Sequence, residues 1–190
     1  LNEEQIDKFF TYGDILKDWN QRMNLTAIEN DRDIIIKHFI DSISICPIIK
    51  GKGLKIIDVG TGAGFPGIPV KIVYPDLEVK LLDSLQKRIG FLNEVIERLD
   101  LKNISAVHSR AEEMGQQKDY REMYDISTAR AVANLPVLLE YCVPFVKVGG
   151  YFIAMKGSSM DELGSSKKAL DELGGKIEEV MEFNLPFSDI

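Results

Sequence analysis

From residue 55 onward, short runs of apolar residues alternate with longer stretches whose apolar residues recur every three to four positions. The first kind predicts strands buried on both faces, the second amphipathic helices. On this reading Lys55 to Val59 is a strand, a helix runs from about Pro66 to Val73, and "EVKLLDS" is a strand. Residues 86–99 form a helix with Ile89, Leu92, Ile96 and Leu99 on one stripe. "NISAVHS" is a strand, a short polar helix or loop covers 111–122, and "YDISTARAV" begins as a strand. Residues 135–146 carry the cleanest helical spacing, through Leu135, Leu138, Leu139, Cys142, Val143 and Val146. "GGYFIAMKG" is a strand, 159–173 a helix and "KIEEVMEFNLP" a last strand. Two helices precede the alternation. Residues 4–20 turn Ile6, Phe9, Phe10, Leu16 and Trp19 inward; residues 31–45 turn Ile35, Ile36, Phe39 and Ile43 inward, until Pro47 and "KGKG" end them.

Repeated strand–helix pairs predict an α/β fold, a doubly wound parallel sheet with helices on both faces. The chain divides into an N-terminal helical extension, 1–50, and a Rossmann-like domain, 51–190. Ligands of such sheets bind at the carboxyl ends of the strands. The loop at Gly60, the turn at Asp83, the segment from His108 to Glu112, Arg130 and Lys156 then share one rim.

Composition narrows the picture. The net charge of −7 argues mildly against a nucleic-acid partner, because phosphate neutralisation needs Lys and Arg. A local basic face can still supply it. Cys46 and Cys142 are isolated among apolar residues, with no C-x-x-C pair and no metal or redox signature. No apolar run approaches the roughly 20 residues of a membrane helix, and "LNEEQIDKFF" does not read as a secretory signal. A cytoplasmic setting is expected.

"DVGTGAGFPGIP" carries the chemistry. A phosphate-cradling loop would need Lys and Ser/Thr where Ile68 and Pro69 stand. A dinucleotide loop counted from Gly60 would place its last glycine at Phe65. What remains is Asp58-x-Gly60-x-Gly62-x-Gly64, with an acid suited to a cationic or zwitterionic ligand. A valine at Gly62 should crowd the loop. Asp83 closes the second predicted strand, where a carboxylate can accept both hydrogen bonds of a ribose diol. Ala111 and Glu112 could offer a backbone amide and a carboxylate to an adenine ring. Adenosine with a positive centre and no phosphate is S-adenosylmethionine.

These segments resemble a family. "NLTAI" (24–28), "HFIDSIS" (38–44), "DVGTGAGFPGIP" (58–69), "LLDSLQKRIGFL" (81–92), "SRAEE" (109–113) and "TARAVANL" (128–135) are similar to the RsmG, or GidB, methyltransferases, in order and over nearly the whole chain. The resemblance implies a class I S-adenosylmethionine-dependent methyltransferase fold. It implies transfer to N7 of a guanine in 16S ribosomal RNA; the sequence leaves open whether that RNA is naked or lies within the small subunit or an assembly intermediate, which the scarcity of cations would suit. It implies cofactor contacts at Gly60, Phe65, Ala111, Glu112 and Arg130, beside Gly62 and Asp83 from the reading above, and a lid element in "HFIDS". Arg88 and Lys156 are candidates for RNA phosphates, and Arg130 for a methionine carboxylate or a phosphate. One departure stands out: such sheets end in a seventh, antiparallel strand, and this chain stops just past the sixth predicted strand.

The residues also bear on the reaction. No [NDS]-P-P-[YF] element of exocyclic-amine methylation follows the fourth strand. Neither cysteine is placed as the nucleophile of pyrimidine methylation, and no acid cluster suits a metal-assisted reaction. Guanine N7 needs no general base, so none is assigned. Three other readings remain open: a small-molecule methyltransferase, a cofactor-binding regulatory module without turnover, and a nicotinamide oxidoreductase. Oligomeric state is not read from the sequence.

Overall fold

A computed structural model describes residues 1–157 and 161–187. Five strands, β1 (Lys55–Val59), β2 (Glu78–Asp83), β3 (Ile104–His108), β4 (Tyr124–Arg130) and β5 (Val146–Met155), form a sheet in the order β3-β2-β1-β4-β5. All four neighbouring pairs are parallel. Successive side chains point to opposite faces, so Ile56 and Leu81 enter one core and Ile57 and Leu82 the other. The chain leaves β1 toward β2 and β3, then returns to build β4 and β5 on the other side. The carboxyl ends of β1 and β4 therefore meet at the switch point of the sheet.

One face is covered by α1 (Glu3–Met23), by a helical segment over 31–43, by α4 (Gly67–Val73) and by α5 (Gln86–Arg98). The segment over 31–43 comprises α2 (Asp31–Asp33), a π-helical stretch (Ile34–Ile40) and α3 (Asp41–Ile43). The other face is covered by α6 (Ala111–Met114) and α7 (Leu135–Cys142), with α8 (Asp161–Ser165) and α9 (Lys167–Leu173) packed against α7. The first fifty residues share a core with the sheet: Phe9, Tyr12, Leu16, Ile34 and Phe39 pack in one cluster with Phe65 and Phe91. Asn2 and Gln5 cap α1 reciprocally. The Gln5 amide also donates to Ile72 O and Val73 O, supplying partners for carbonyls at the end of α4. Among the described residues no helix is long and apolar enough to cross a membrane.

Several boundaries and faces differ from the sequence reading. In α1 the inward residues are Phe9, Tyr12, Ile15 and Leu16, while Phe10 is exposed. In the second helical segment Ile34, Ile36 and Phe39 face the core and Ile35 is exposed. The π-helical stretch widens the turn, so the inward face departs from 3.6-residue spacing. The helix expected over 135–146 ends at Cys142, because Pro144 lacks an N–H and forces a short 3-10 turn before β5. Residues 158–160, within the expected helix over 159–173, lie outside the described residues. The expected last strand does not form: 175–185 has no regular structure. Ile177, Val180, Met181 and Phe183 stay exposed there. Within the described residues β5 pairs only with β4, and Val148, in the stretch between Val146 and Tyr151 where the register shifts, is 98% exposed.

Candidate cofactor and acceptor site

The glycine loop starts where β1 ends. Gly60, Gly62 and Gly64 hold φ at 68°, 60° and 90°, conformations open to glycine at little cost. Gly60 N and Thr61 N both donate to Leu82 O, tying the loop to β2. Asp58 is fully buried beneath it. Its Oδ2 accepts from Thr61 Oγ1 at 2.6 Å and from Gly67 N at 2.9 Å. One carboxylate oxygen thus holds the loop at one end and caps α4 at the other. Burial pushes Asp58 up to about 6, against the Thr61 and Gly67 hydrogen bonds and Arg130, which favour the ionised form. A Cβ at Gly64 would lie 2.5 Å from Ile68 Cδ1 and 2.6 Å from the Tyr12 hydroxyl. At Gly62 it would meet nothing nearer than Gly60 O, 3.9 Å away. The constraint at Gly62 is therefore its left-handed backbone, not the crowding expected from the sequence.

Asp83 is buried at the end of β2. Its Oδ2 accepts from Gly62 N at 2.8 Å and its Oδ1 from Leu85 N at 2.9 Å. Arg88 Nη1 reaches the same carboxylate at 3.1 Å. The diol candidate and the glycine loop are thus joined directly. Next along the rim, Asp83 stands opposite His108 in the β2–β3 register. Ala111 and Glu112 open α6 just beyond β3, Ala111 half-buried and Glu112 exposed.

Arg130 ends β4 and meets the N-terminal helices. Its Nη1 donates to Asp41 Oδ2 at 2.6 Å and to Lys37 O at 3.0 Å; its Nη2 lies 3.1 Å from His38 Nδ1. Burial, then the charge of Arg130, lowers His38 to about 4, so the imidazole is neutral at pH 7. Because Arg130 can only donate, Nδ1 accepts, and the proton sits on Nε2, 2.7 Å from Thr26 Oγ1. The imidazole stacks on Phe65 with centroids 4.5 Å apart, and the Arg130 guanidinium lies 5.0 Å from the same ring's centroid. Four segments singled out in the sequence, around Thr26, His38, Phe65 and Arg130, converge on one ring. Sequence reasoning missed Tyr12, whose hydroxyl donates to Ala63 O and whose ring stacks on Phe65. Its signal was spacing: positions 9, 12, 16 and 19 share a helix face.

The two cations suggested for RNA phosphates are engaged within the protein. Arg88 pairs with Asp83, and Lys156 pairs with Glu162 at 2.9 Å and donates to Ala133 O at 2.9 Å. Cys46 and Cys142 are buried; burial pushes the Cys46 thiol up to about 11 and the Cys142 thiol higher still. A concavity of about 290 Å³ lined by Gly51, Tyr74 and Leu77 lies at the opposite end of the sheet, away from the strand ends that bind ligands in this architecture.

S-adenosylmethionine asks for a carboxylate at its diol, close backbone approach, a polar partner for adenine and an anchor for its amino-acid end. Asp83, the unobstructed side of Gly62, the pair Ala111–Glu112, and Arg130 fit those requirements. The fold is that of the class I methyltransferases. Solved structures share the fold: a SAM dependent methyltransferase from Aquifex aeolicus (TM-score 0.61, 18% identity, 84% of this chain and 90% of that one) and a ribosomal protein L11 methylase from Lactobacillus delbrueckii (TM-score 0.61, 19% identity, 76% and 72%). The family model for GidB, rRNA small subunit methyltransferase G, matches residues 5–186. "Ribosomal RNA small subunit methyltransferase G" of Acetivibrio thermocellus is 77% identical over the whole of this chain and 78% of its own length. The protein of that name from Alkaliphilus oremlandii is 55% identical, again over the whole chain and 80% of its own length. The chain belongs to this family.

Proposed function

We propose that the chain transfers a methyl group from S-adenosylmethionine to N7 of a guanine in 16S ribosomal RNA. The observation that carries this reading is the 77% identity, over the full chain, to a protein named as a methyltransferase of small-subunit ribosomal RNA. When bound, the cofactor supplies a methyl group on a positively charged sulfur, which the in-plane lone pair of N7 can accept without prior loss of a proton. Asp83 accepts from the ribose diol, held in place by Gly62 N, Leu85 N and Arg88. Glu112 and the Ala111 amide face the adenine. Arg130, fixed by Asp41 and His38, presents positive charge to the carboxylate of the amino-acid end. No residue has to act as a general base; positioning and electrostatics carry the rate. The raised thiols of Cys46 and Cys142, both in the core, support a route without a cysteine nucleophile.

Phosphates would meet Lys87 and Arg110, which are exposed beside the rim and make no ion pair with another described residue. Few such cations and a net charge of −7 favour RNA presented within a small subunit or an assembly intermediate. The test is incubation with S-adenosylmethionine and either unmodified small subunits or naked 16S RNA, followed by borohydride–aniline cleavage at 7-methylguanosine. One new cut, stronger with subunits, is the expected result. No cut with either substrate, with S-adenosylhomocysteine binding intact, would overturn the reading.

A further inference from the structure

The loop that leaves β4, residues 131–134, is held more firmly than a connection requires. Ala131 keeps φ at 54°, a left-handed conformation unfavourable to any residue with a Cβ. Such outliers persist only where the surroundings enforce them, and they concentrate at functional sites. Val132 turns back onto the glycine loop: a Cβ on Gly60 would lie 2.7 Å from Val132 Cγ2. Yet Val132 remains 38% exposed, so it offers an apolar surface beside the strand ends.

Two side chains from the next strand–helix unit hold this loop. Lys156 Nζ donates to Ala133 O at 2.9 Å, and Glu162 Oε2 accepts from Leu135 N at 2.6 Å. They pair with each other at 2.9 Å, and their side chains are only 25% and 24% exposed. The lysine sits after β5, the glutamate on α8, and both grip backbone on either side of Asn134, the N-cap of α7. Lys156 is thus paired with a carboxylate and directed at a carbonyl of this loop.

We propose that Lys156 and Glu162 are a pair of positioning residues for the methyl acceptor, holding loop 131–134 against the glycine loop so that Val132 forms the floor under the target base. The proposal rests on the reading of the chain as a guanine methyltransferase. It assigns Lys156 a task other than the phosphate contact expected from sequence. Methyl transfer needs the acceptor lone pair in line and close, and a misplacement of about 1 Å can lower the rate about a hundredfold. A loop fixed by its backbone can deliver that accuracy without touching the cofactor.

The experiment compares wild type, Lys156→Gln, Glu162→Gln and the double variant on unmodified small subunits. It measures kcat, KM for subunits, Kd for S-adenosylhomocysteine and the salt dependence of subunit binding. The expected result is a ~10–100-fold lower kcat in each single variant. S-adenosylhomocysteine affinity and salt slope should stay unchanged, the double variant should be no worse than either single one, and Lys156→Arg should recover part of the rate. A salt slope reduced by about one with kcat retained would overturn the proposal in favour of a phosphate contact. Unchanged kcat in both single variants would overturn it outright. If the single variants lose S-adenosylhomocysteine binding, and so their fold, Val132→Ala decides. A fall of about tenfold in kcat at unchanged cofactor affinity supports the floor; an unchanged kcat refutes it. A wild type that binds S-adenosylhomocysteine but gives no 7-methylguanosine refutes the functional reading itself, and the proposal with it.

Discussion

Tyr12 makes a demanding test of how the N-terminal helix serves the site. It is fully buried, its ring packs on both Phe39 and Phe65 with centroids 5.3 and 5.4 Å away, and its hydroxyl donates to Ala63 O inside the glycine loop. Burial holds the phenol protonated, so the donor is always present. Tyr12→Phe keeps the ring and removes only that donor. A buried carbonyl left without a partner costs about 1–3 kcal/mol. For a chain of this size each kcal/mol lowers Tm by about 2–4 °C, so the melt should fall by roughly 2–12 °C. Part of the loss is local, because the bond fixes the loop that the cofactor approaches. A local share of about 1 kcal/mol weakens S-adenosylhomocysteine roughly fivefold. The control is Tyr74→Phe, which removes a hydroxyl that donates to Cys46 O at 3.1 Å at the other end of the sheet. Thermal melts and calorimetric titration of both variants separate the two effects. Tyr74→Phe should lower Tm and leave Kd alone, while Tyr12→Phe should change both. If Tyr12→Phe leaves Kd where Tyr74→Phe leaves it, α1 packs against the loop without shaping it, and the reasoning fails.

Other expectations follow from the same geometry. His38, lowered to about 4 from an ordinary 6.5, contributes stability that is fully present above pH 6.5 and is lost as pH falls toward 4. Asp58, raised to about 6 from 3.8, contributes the opposite: stability present below pH 3.8 and lost as pH rises toward 6. The two offset each other between pH 4 and 6, so urea melts of His38→Asn should show stability rising on acidification and those of Asp58→Asn stability falling; parallel profiles would refute this. Asp83→Asn should weaken S-adenosylhomocysteine at least tenfold, from the loss of charge-assisted hydrogen bonds of about 1.5–3 kcal/mol. Arg88→Gln should weaken it less, which calorimetry can check. Gly64→Ala, forced to φ 90° with its Cβ against Ile68 and the Tyr12 hydroxyl, should cost about 1–3 kcal/mol, whereas an unchanged denaturation midpoint would contradict the packing described.

Much of the fold was legible because two periods alternate cleanly after residue 55, and β1 spans the residues its apolar run marked. The rim was legible because glycines, Asp83 and Arg130 fall at strand ends. Less legible were features set by tertiary packing. The π-helical turn moved Ile35 outward in favour of Ile34, and no local propensity announces such a turn. Partners of charged residues were also hidden. Arg88 and Lys156 looked like free cations because the step from strand to helix, not helical i,i+4 spacing, brings Asp83 and Glu162 onto them. The expected last strand shows that local alternation, as at Met181, Phe183 and Leu185, does not make a strand by itself.

The bonds that α1 makes to the sheet also set an order of assembly. Tyr12 waits for an acceptor 51 residues later in the chain, and Trp19 for Glu94, 75 residues later. At roughly 5–20 residues per second of synthesis, that second wait lasts on the order of 4–15 s. For that time α1 carries Phe9, Tyr12 and Leu16 with no sheet to cover them. A helix made before the sheet thus closes only after it, and slower synthesis lengthens the interval in which its apolar stripe faces water and other nascent chains.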